Sequence, residues 1–208
     1  LAMGAALEQM FGTKGSLETY EMGGKTDSRI VSDLLSEVDI DSLVIRQKLP
    51  DFFQLMADFA REVYPLRDIT TCPGVESLLA QLRVRDDVMV GLLTGNAQTT
   101  APLKLTAAGI DPAQFVVGAY GSDNLDRNNL PKLALQRANE LTAEILTADN
   151  VVIVGDTPAD VQCARVGMAR SVAVASGWHS ADTLLQYQPD YLFTDLSDTE
   201  AVLSVLLG

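Results

Sequence analysis

The chain has 208 residues, of which 47% are hydrophobic, and a formal net charge of −13. Such a chain is long and apolar enough for one large domain, or for a core with a smaller appendage. Its negative charge would repel nucleic acids and anionic lipid surfaces, so we expect neither nucleic acid nor membrane as a partner. Two cysteines, Cys72 and Cys163, lie far apart and outside any metal-ligand spacing, which predicts a reducing, cytoplasmic location.

The first third of the chain has helical hydrophobic spacing and no strand alternation. The predicted helices cover residues 2–11, 29–35 and 42–63. Thr26 or Asp27 could cap the second helix, and the third should be interrupted near Pro50. We therefore predict a small α-helical cap domain over residues 1–68.

From residue 69 onward, short apolar strands alternate with helical segments. The predicted strands lie at 88–93, 115–117, 151–154, 171–174 and 191–193, and helices separate them. A capping box at 197–200 opens a last helix at 201–206. This alternation indicates a parallel sheet covered on both faces. The predicted fold is α/β, with a doubly wound parallel, Rossmann-like core at 69–208.

Paired acidic residues follow one strand of this core. The β-branched run at 151–154 predicts a central strand that is buried on both faces and ends at Gly155. Asp156 then lies at the carboxyl end of the strand, and Asp160 follows about one helical turn later. Two close carboxylates favour a hard divalent cation between them, such as Mg²⁺. In the alternative interpretation, Asp156 or Thr157 simply caps the next helix.

A second candidate element is the turn of Thr94, Gly95 and Asn96, between a buried strand and a predicted helix. Backbone N–H groups and the Thr94 hydroxyl at such a position can hold a phosphate group. The alternative is an ordinary strand-to-helix turn in which Thr94 or Asn96 caps the helix. A third element, the loop at 121–132, could deliver the cation of Arg127 or Lys132 to a phosphoryl group. Its alternative is a solvated loop with Lys132 on an exposed helical face.

These three elements, each at the carboxyl end of a strand, together resemble the haloacid dehalogenase-like hydrolases. Within them the chain looks similar to phosphoglycolate phosphatase-like members with a helical cap. The resemblance implies Mg²⁺-dependent hydrolysis of a small phosphorylated metabolite through an aspartyl-phosphate. It assigns phosphate binding to Thr94, Gly95 and Asn96, charge stabilisation to Arg127 or Lys132, and the metal to Asp156 and Asp160. Most members have a lysine followed by proline where this chain does not, and we favour Arg127 because it lies nearer the expected register.

The resemblance also implies features outside these motifs. Family members attack phosphorus with the first aspartate of an Asp-x-Asp motif at the end of their first strand. No such motif follows a strand here, so we expect ~20 to 30 residues before Leu1, with a strand between those that end at Thr94 and at Asp156. Residues 1–208 alone would then be inactive. In the cap, Lys25 could contact a substrate carboxylate, or it could be a solvated cation.

Other functions on this scaffold remain open from the sequence. Dehalogenation or phosphomutase action would share the core, although dehalogenation needs no Mg²⁺, which the acid pair argues against. A non-catalytic protein that binds an anion or a partner is a third alternative. Both a monomer and a homodimer are compatible with the sequence.

Overall fold

The computed structural model describes residues 2–208, which form two compact units. The helical unit contains the described residues up to Thr70, then Thr94–Pro112 and Tyr120–Asp126. The sheet unit contains Thr71–Leu93, Ala113–Ala119 and Arg127–Gly208. The helical unit thus takes in two segments from beyond residue 68, and the predicted domain boundary stays a prediction. Between residues 2 and 208, none of the helices combines the length and the apolar character that crossing a bilayer requires.

The elements follow one another in an order close to the predicted one. The helices are α1 (Ala2–Phe11), α2 (Asp27–Ser36), α3 (Ser42–Val63), α4 (Val75–Arg83), α5 (Ala101–Ala107), α6 (Leu130–Leu141), α7 (Pro158–Val166), α8 (Ala181–Leu185) and α9 (Thr199–Leu207). The strands are β1 (Gly91–Leu93), β2 (Val117–Ala119), β3 (Val152–Gly155), β4 (Arg170–Val174) and β5 (Tyr191–Phe193). Short 3-10 turns connect several of them.

The helical unit is built around α3. Thr26 caps α2, as predicted, because its hydroxyl accepts a hydrogen bond from the Arg29 N–H at 3.2 Å. The predicted interruption of α3 near Pro50 is wrong, since the helix continues through that residue. A proline inside a helix removes a hydrogen bond and costs roughly 3 kcal/mol. Burial of Ile45 on one side of Pro50 and of Phe52 on the other holds the two halves of α3 in one core and offsets this cost.

The start of α3 depends on Asp41, whose carboxylate accepts hydrogen bonds from the Leu43 and Val44 N–H groups at 2.9 and 3.3 Å. Asp41→Ala should lower the free energy of unfolding by about 1 kcal/mol, because two N–H groups of the first turn lose their acceptor. Chemical denaturation measures this change. Asp51→Ala, at an exposed position inside the same helix, is the matched control and should change stability by less than about 0.5 kcal/mol. Equal losses in the two variants would contradict the capping role.

The sheet unit contains parallel strands, which confirms the predicted α/β class. β1 pairs with β2, and Leu92 lies opposite Gly118. β3, β4 and β5 form a second sheet in that order, also parallel. Helices α4 and α9 contact each other, and buried Leu78 and Val202 form a cluster there with Val174 of β4.

Three boundaries in this unit differ from the prediction. β1 has three residues instead of six because only Gly91–Leu93 pair with β2, whereas Val88 and Val90 pack against the cluster around Leu78. β2 begins two residues later than predicted. The predicted capping box at 197–200 does not form, since Asp198 caps α9 by accepting from the Ala201 N–H.

β3 is an edge strand within the described residues, which corrects the prediction of a central strand buried on both faces. In residues 2–208, β3 pairs only with β4, and β1 pairs only with β2. Val154 of β3 is consequently 39% exposed. Leu93, the last residue of β1, packs against a cluster that contains Ile153 of β3. The strand expected between these two sheets stays a prediction.

Candidate functional site

The turn after β1 presents a hydroxyl that can donate to an anion. The backbone N–H of Asn96 and its side-chain Nδ2 both donate to Oγ1 of Thr94, at 3.2 and 2.9 Å. Because these two bonds occupy the lone pairs of Oγ1, the hydroxyl hydrogen of Thr94 remains available as a donor. Thr94, Gly95 and Asn96 are each half-buried.

This turn is not the start of a helix, which corrects part of the sequence interpretation. α5 begins only at Ala101, and Thr100 precedes it without a side-chain cap. The helix dipole therefore does not stand directly behind Thr94, and neither Thr94 nor Asn96 caps α5. Before the helix, the carbonyl of Ala97 accepts from the Thr100 and Ala101 N–H groups, and the N–H of Ala97 donates to the side chain of Asp27.

The two acidic residues after β3 have different surroundings. Asp156 follows Gly155, the last residue of β3, and is half-buried. Asp160 lies in the first turn of α7, where Oδ2 accepts from the N–H and the hydroxyl of Thr157 at 3.0 and 2.7 Å. Thr157 is thus the N-cap of α7, in a reciprocal capping box with Asp160. The capping interpretation is confirmed for Thr157, and it accounts for one carboxylate oxygen of Asp160.

The other oxygen of Asp160 forms an ion pair with Arg127. Nη2 of Arg127 lies 2.5 Å from Oδ1 of Asp160, and the two side chains are only 15% and 9% exposed. Arg127 opens the 3-10 turn that precedes α6. Its buried Nε has no hydrogen-bond partner among residues 2–208. Lys132 lies on an exposed face of α6, and it is Arg127 that contacts Asp160.

The carboxyl of Asp156 is held in an electrostatically unfavourable environment. Burial raises the pKa of Asp156, and the charge of Asp160 raises it further, while His179 and Arg127 lower it in part. A divalent cation bound to Asp156 would relieve both effects. The loop after β4 lies directly against this carboxyl, because a Cβ at Gly177 would come within 1.8 Å of Oδ2 of Asp156. Only glycine permits that close approach without displacing the acid.

These residues fit part of a magnesium site. No group of three or more histidine, cysteine, aspartate or glutamate side chains that could hold a metal occurs within residues 2–208. Mg²⁺ in enzymes commonly takes one or two carboxylates and completes its six ligands with water and substrate phosphate. Asp156 suits such a carboxylate ligand, whereas both oxygens of Asp160 already have protein partners.

Lys25 lies in the helical unit and contacts an aromatic ring. Its Nζ is 3.9 Å from the ring centroid of Tyr20, whose hydroxyl donates to Asp33 at 2.5 Å. This cation–π contact holds the ammonium group beside α2. The predicted contact of Lys25 with a substrate carboxylate stays a prediction.

Comparisons with known proteins show what this chain is similar to. Residues 130–199 match the family model described as HAD-hyrolase-like, a stretch that includes Asp156 and Asp160. A curated phosphoglycolate phosphatase from Synechococcus elongatus is 32% identical over 126 residues, which cover 61% of this chain and 56% of that protein. The match therefore spans just over half the length of this relative.

Solved structures decide the fold. CbbY from Rhodobacter sphaeroides, in complex with phosphate, matches with a TM-score of 0.67 at 14% identity, over 95% of this chain and 86% of its own. A haloacid dehalogenase-like family hydrolase from Streptococcus pneumoniae matches with a TM-score of 0.57 at 18% identity, over 97% and 88%. This chain has the haloacid dehalogenase-like fold. The resemblance predicted from the sequence is thereby confirmed, and the likeness at these identities concerns the fold alone.

One residue near the predicted turn was not singled out by sequence reasoning. Asp27 appeared only as a possible helix cap, yet its carboxyl accepts from the Ala97 N–H at 2.7 Å, 70 residues along the chain. A buried long-range contact of this kind has no local sequence signal, because an aspartate at the start of a helix is ordinary.

Proposed function

We propose that this protein is a Mg²⁺-dependent phosphatase that hydrolyses a small phosphate monoester such as phosphoglycolate. The observation that carries the proposal is the buried ion pair of Arg127 and Asp160 beside the half-buried Asp156, after the carboxyl end of β3. Burial and the charge of Asp160 raise the pKa of Asp156, and acids with perturbed pKa values cluster at functional sites. The similarity to a phosphoglycolate phosphatase supports this class of substrate.

In this proposal Thr94 and Arg127 bind the phosphoryl group. The hydroxyl of Thr94 donates to a phosphate oxygen while Asn96 fixes its orientation. Arg127 keeps donors beyond its bond to Asp160, including the unpartnered Nε, and its charge balances the negative charge that develops on the transferring group. Lys132 remains the alternative cation, although its exposure favours Arg127.

Asp156 would hold the Mg²⁺ ion, which as a Lewis acid polarises phosphoryl oxygens when bound. Asp160 orients Arg127 and fixes the start of α7, and its direct contact with the ion remains a prediction. The attacking aspartate, and with it the aspartyl-phosphate, belongs to the segment expected before Leu1. The proposed compartment is the cytoplasm, in keeping with the free thiols of Cys72 and Cys163.

Turnover by the full-length protein tests this function. A panel of small phosphate monoesters that includes phosphoglycolate should release inorganic phosphate with Mg²⁺ present and not after chelation. Release of halide from a haloacid without Mg²⁺ would identify a dehalogenase. Transfer of the phosphate to another position of a sugar would identify a phosphomutase. Phosphate binding without any turnover would identify a non-catalytic binding protein.

The role of Thr94 gives a separate prediction. Thr94→Val keeps the shape of the side chain but removes the hydroxyl, and it should weaken binding of inorganic phosphate roughly tenfold, since a hydrogen bond to a charged group is lost. Isothermal titration calorimetry measures this change. Thr94→Ser should bind nearly as well as the wild type. Thr106→Val, at an exposed position on α5, is the matched control, and equal weakening in both valine variants would remove Thr94 from the site.

A further inference from the structure

The start of α2 is unusually polar for a buried segment. Thr26, Asp27 and Ser28 are 0%, 8% and 3% exposed. Buried polar groups need hydrogen-bond partners, because an unpaired one loses its bonds to water without compensation. Thr26 accepts bonds from Arg29 and Ile30 within α2. In addition, all three residues bond to two segments of the helical unit that are distant in sequence, 95–97 and 121–125.

Asp27 binds the turn after Thr94 at two points. Its N–H donates to the carbonyl of Gly95 at 2.7 Å, and its Oδ2 accepts from the N–H of Ala97 at 2.7 Å. One residue thus holds the backbone on both sides of Asn96. Asn96 is the residue whose two donors orient the Thr94 hydroxyl.

A second set of bonds supports the same turn. The N–H of Ser28 donates to the carbonyl of Gly121, and the N–H of Gly121 donates to the carbonyl of Asn96, at 3.1 and 2.8 Å. The hydroxyl of Thr26 donates to the carbonyl of Leu125 at 2.9 Å. A Cβ at Gly121 would lie 1.7 Å from the Gly95 carbonyl oxygen, so the two backbones are in direct contact. The turn is therefore held both by the backbone of Gly121 and by Asp27.

We propose that Asp27 is a positioning residue for the phosphate-binding turn, and that it fixes the backbone from Gly95 to Ala97 so that Thr94 donates to the phosphate in one orientation. The inference rests on the proposed function for the identity of the anion. Asp27 is the first residue of α2. An aspartate at the start of a helix does not by itself imply a role in ligand binding.

The surroundings of Asp27 shift its pKa, which distinguishes it from an exposed aspartate at a helix start. Burial raises the pKa of Asp27 to about 6, against the opposing effects of the Ala97 N–H and of Lys104 on α5. Tyr64, in the 3-10 turn after α3, faces the same carboxyl, and burial together with the charge of Asp27 raises the pKa of its phenol. Because the folded pKa of Asp27 lies above the unfolded value of 3.8, folding favours the protonated form. Its contribution to stability is lost as the pH rises from about 4 to about 6.

Ionisation strengthens the acceptor that Asp27 offers to Ala97, since a charged acceptor forms a stronger hydrogen bond. In the full-length protein the amide proton resonance of Ala97 should therefore shift downfield with a midpoint near pH 6. Asp27→Asn, which keeps an acceptor oxygen but cannot ionise, should abolish this titration and should weaken binding of inorganic phosphate less than about threefold. Asp27→Ala, which removes the acceptor, should weaken that binding roughly tenfold at pH 7.5.

Asp33→Asn on the same helix is the matched control, because Asp33 pairs with Tyr20 and Arg29 and not with the turn. It should leave both the Ala97 titration and phosphate binding unchanged. If Asp27→Ala does not fold, the Asp27→Asn titration still decides the contact. Wild-type strength of phosphate binding in Asp27→Ala, or no titration of Ala97 in the wild type, would overturn the positioning role and leave the proposed function intact. Failure of the wild type to bind phosphate at all would overturn the proposed function, and with it the anion that Asp27 is said to position.

Discussion

Asp156→Asn should reduce the Mg²⁺-dependent turnover of phosphate monoesters at least about 100-fold while leaving the protein at least as stable as the wild type. The loss follows from removing the carboxylate that we propose holds the ion, since even supporting groups around a metal contribute about 10- to 100-fold. Stability should not fall, because asparagine has the same size and fits against Gly177 in the same way. Since burial and Asp160 raise the pKa of Asp156, its ionised form disfavours folding above the unfolded pKa. A neutral side chain removes that effect at pH 7.

Steady-state kinetics at increasing Mg²⁺ concentration, together with thermal unfolding, measures both parts of this expectation. Asp149→Asn, on the exposed 3-10 turn just before β3, is the control and should retain full turnover. Equal rates from the wild type and Asp156→Asn would remove the metal assignment. A large fall in melting temperature would show instead that Asp156 serves the fold.

Arg127→Ala should be the most destabilising change near the site, with a loss of about 3 to 5 kcal/mol in the free energy of unfolding. Removing one partner of a buried ion pair leaves the other charge uncompensated, and here the remaining carboxylate of Asp160 is 9% exposed. Turnover should also fall by roughly 10²- to 10³-fold, because the proposed donor to the transferring group is lost. Lys132→Ala, on the exposed face of α6, should change stability by less than about 0.5 kcal/mol.

A second substitution separates the charge effect from loss of packing. Arg127→Ala combined with Asp160→Asn should be less destabilised than Arg127→Ala alone, because the buried charge is then gone. Urea denaturation of the wild type, the two single variants Arg127→Ala and Asp160→Asn, and the double variant measures the four free energies of unfolding that this comparison needs. The assignment of the cation would be reversed if Lys132→Ala abolished turnover while Arg127→Ala retained it.

The sequence predicted the order of elements well because most of them carry local signals. Helix α1 ends before Gly12 and α2 begins after Thr26, as turn and cap chemistry require. Strand β1 was predicted too long because an apolar run does not show which of its residues pair with a neighbour and which only pack. The continuity of α3 through Pro50 was missed for a related reason. The burial of Phe52, which offsets the cost of the proline, is a tertiary effect that local sequence does not show.

For the site, the sequence interpretation treated the structural and the chemical roles of the residues as exclusive alternatives. A helix cap at Thr157 and an acid at Asp160 were weighed against each other, whereas the structure uses Asp160 for both the cap and the pair with Arg127. Spacing alone could not show that Arg127 contacts Asp160. Asp27 was out of reach because its partner Ala97 lies on a different segment.

The double use of Asp160 has a practical consequence for protein engineering. Substitution of Asp160 would disturb the first turn of α7 and the placement of Arg127, so a loss of activity in such a variant would not by itself identify a metal ligand. Asp156 carries no such second duty toward a helix start. Experiments on the proposed metal site should therefore vary position 156 and keep position 160 constant.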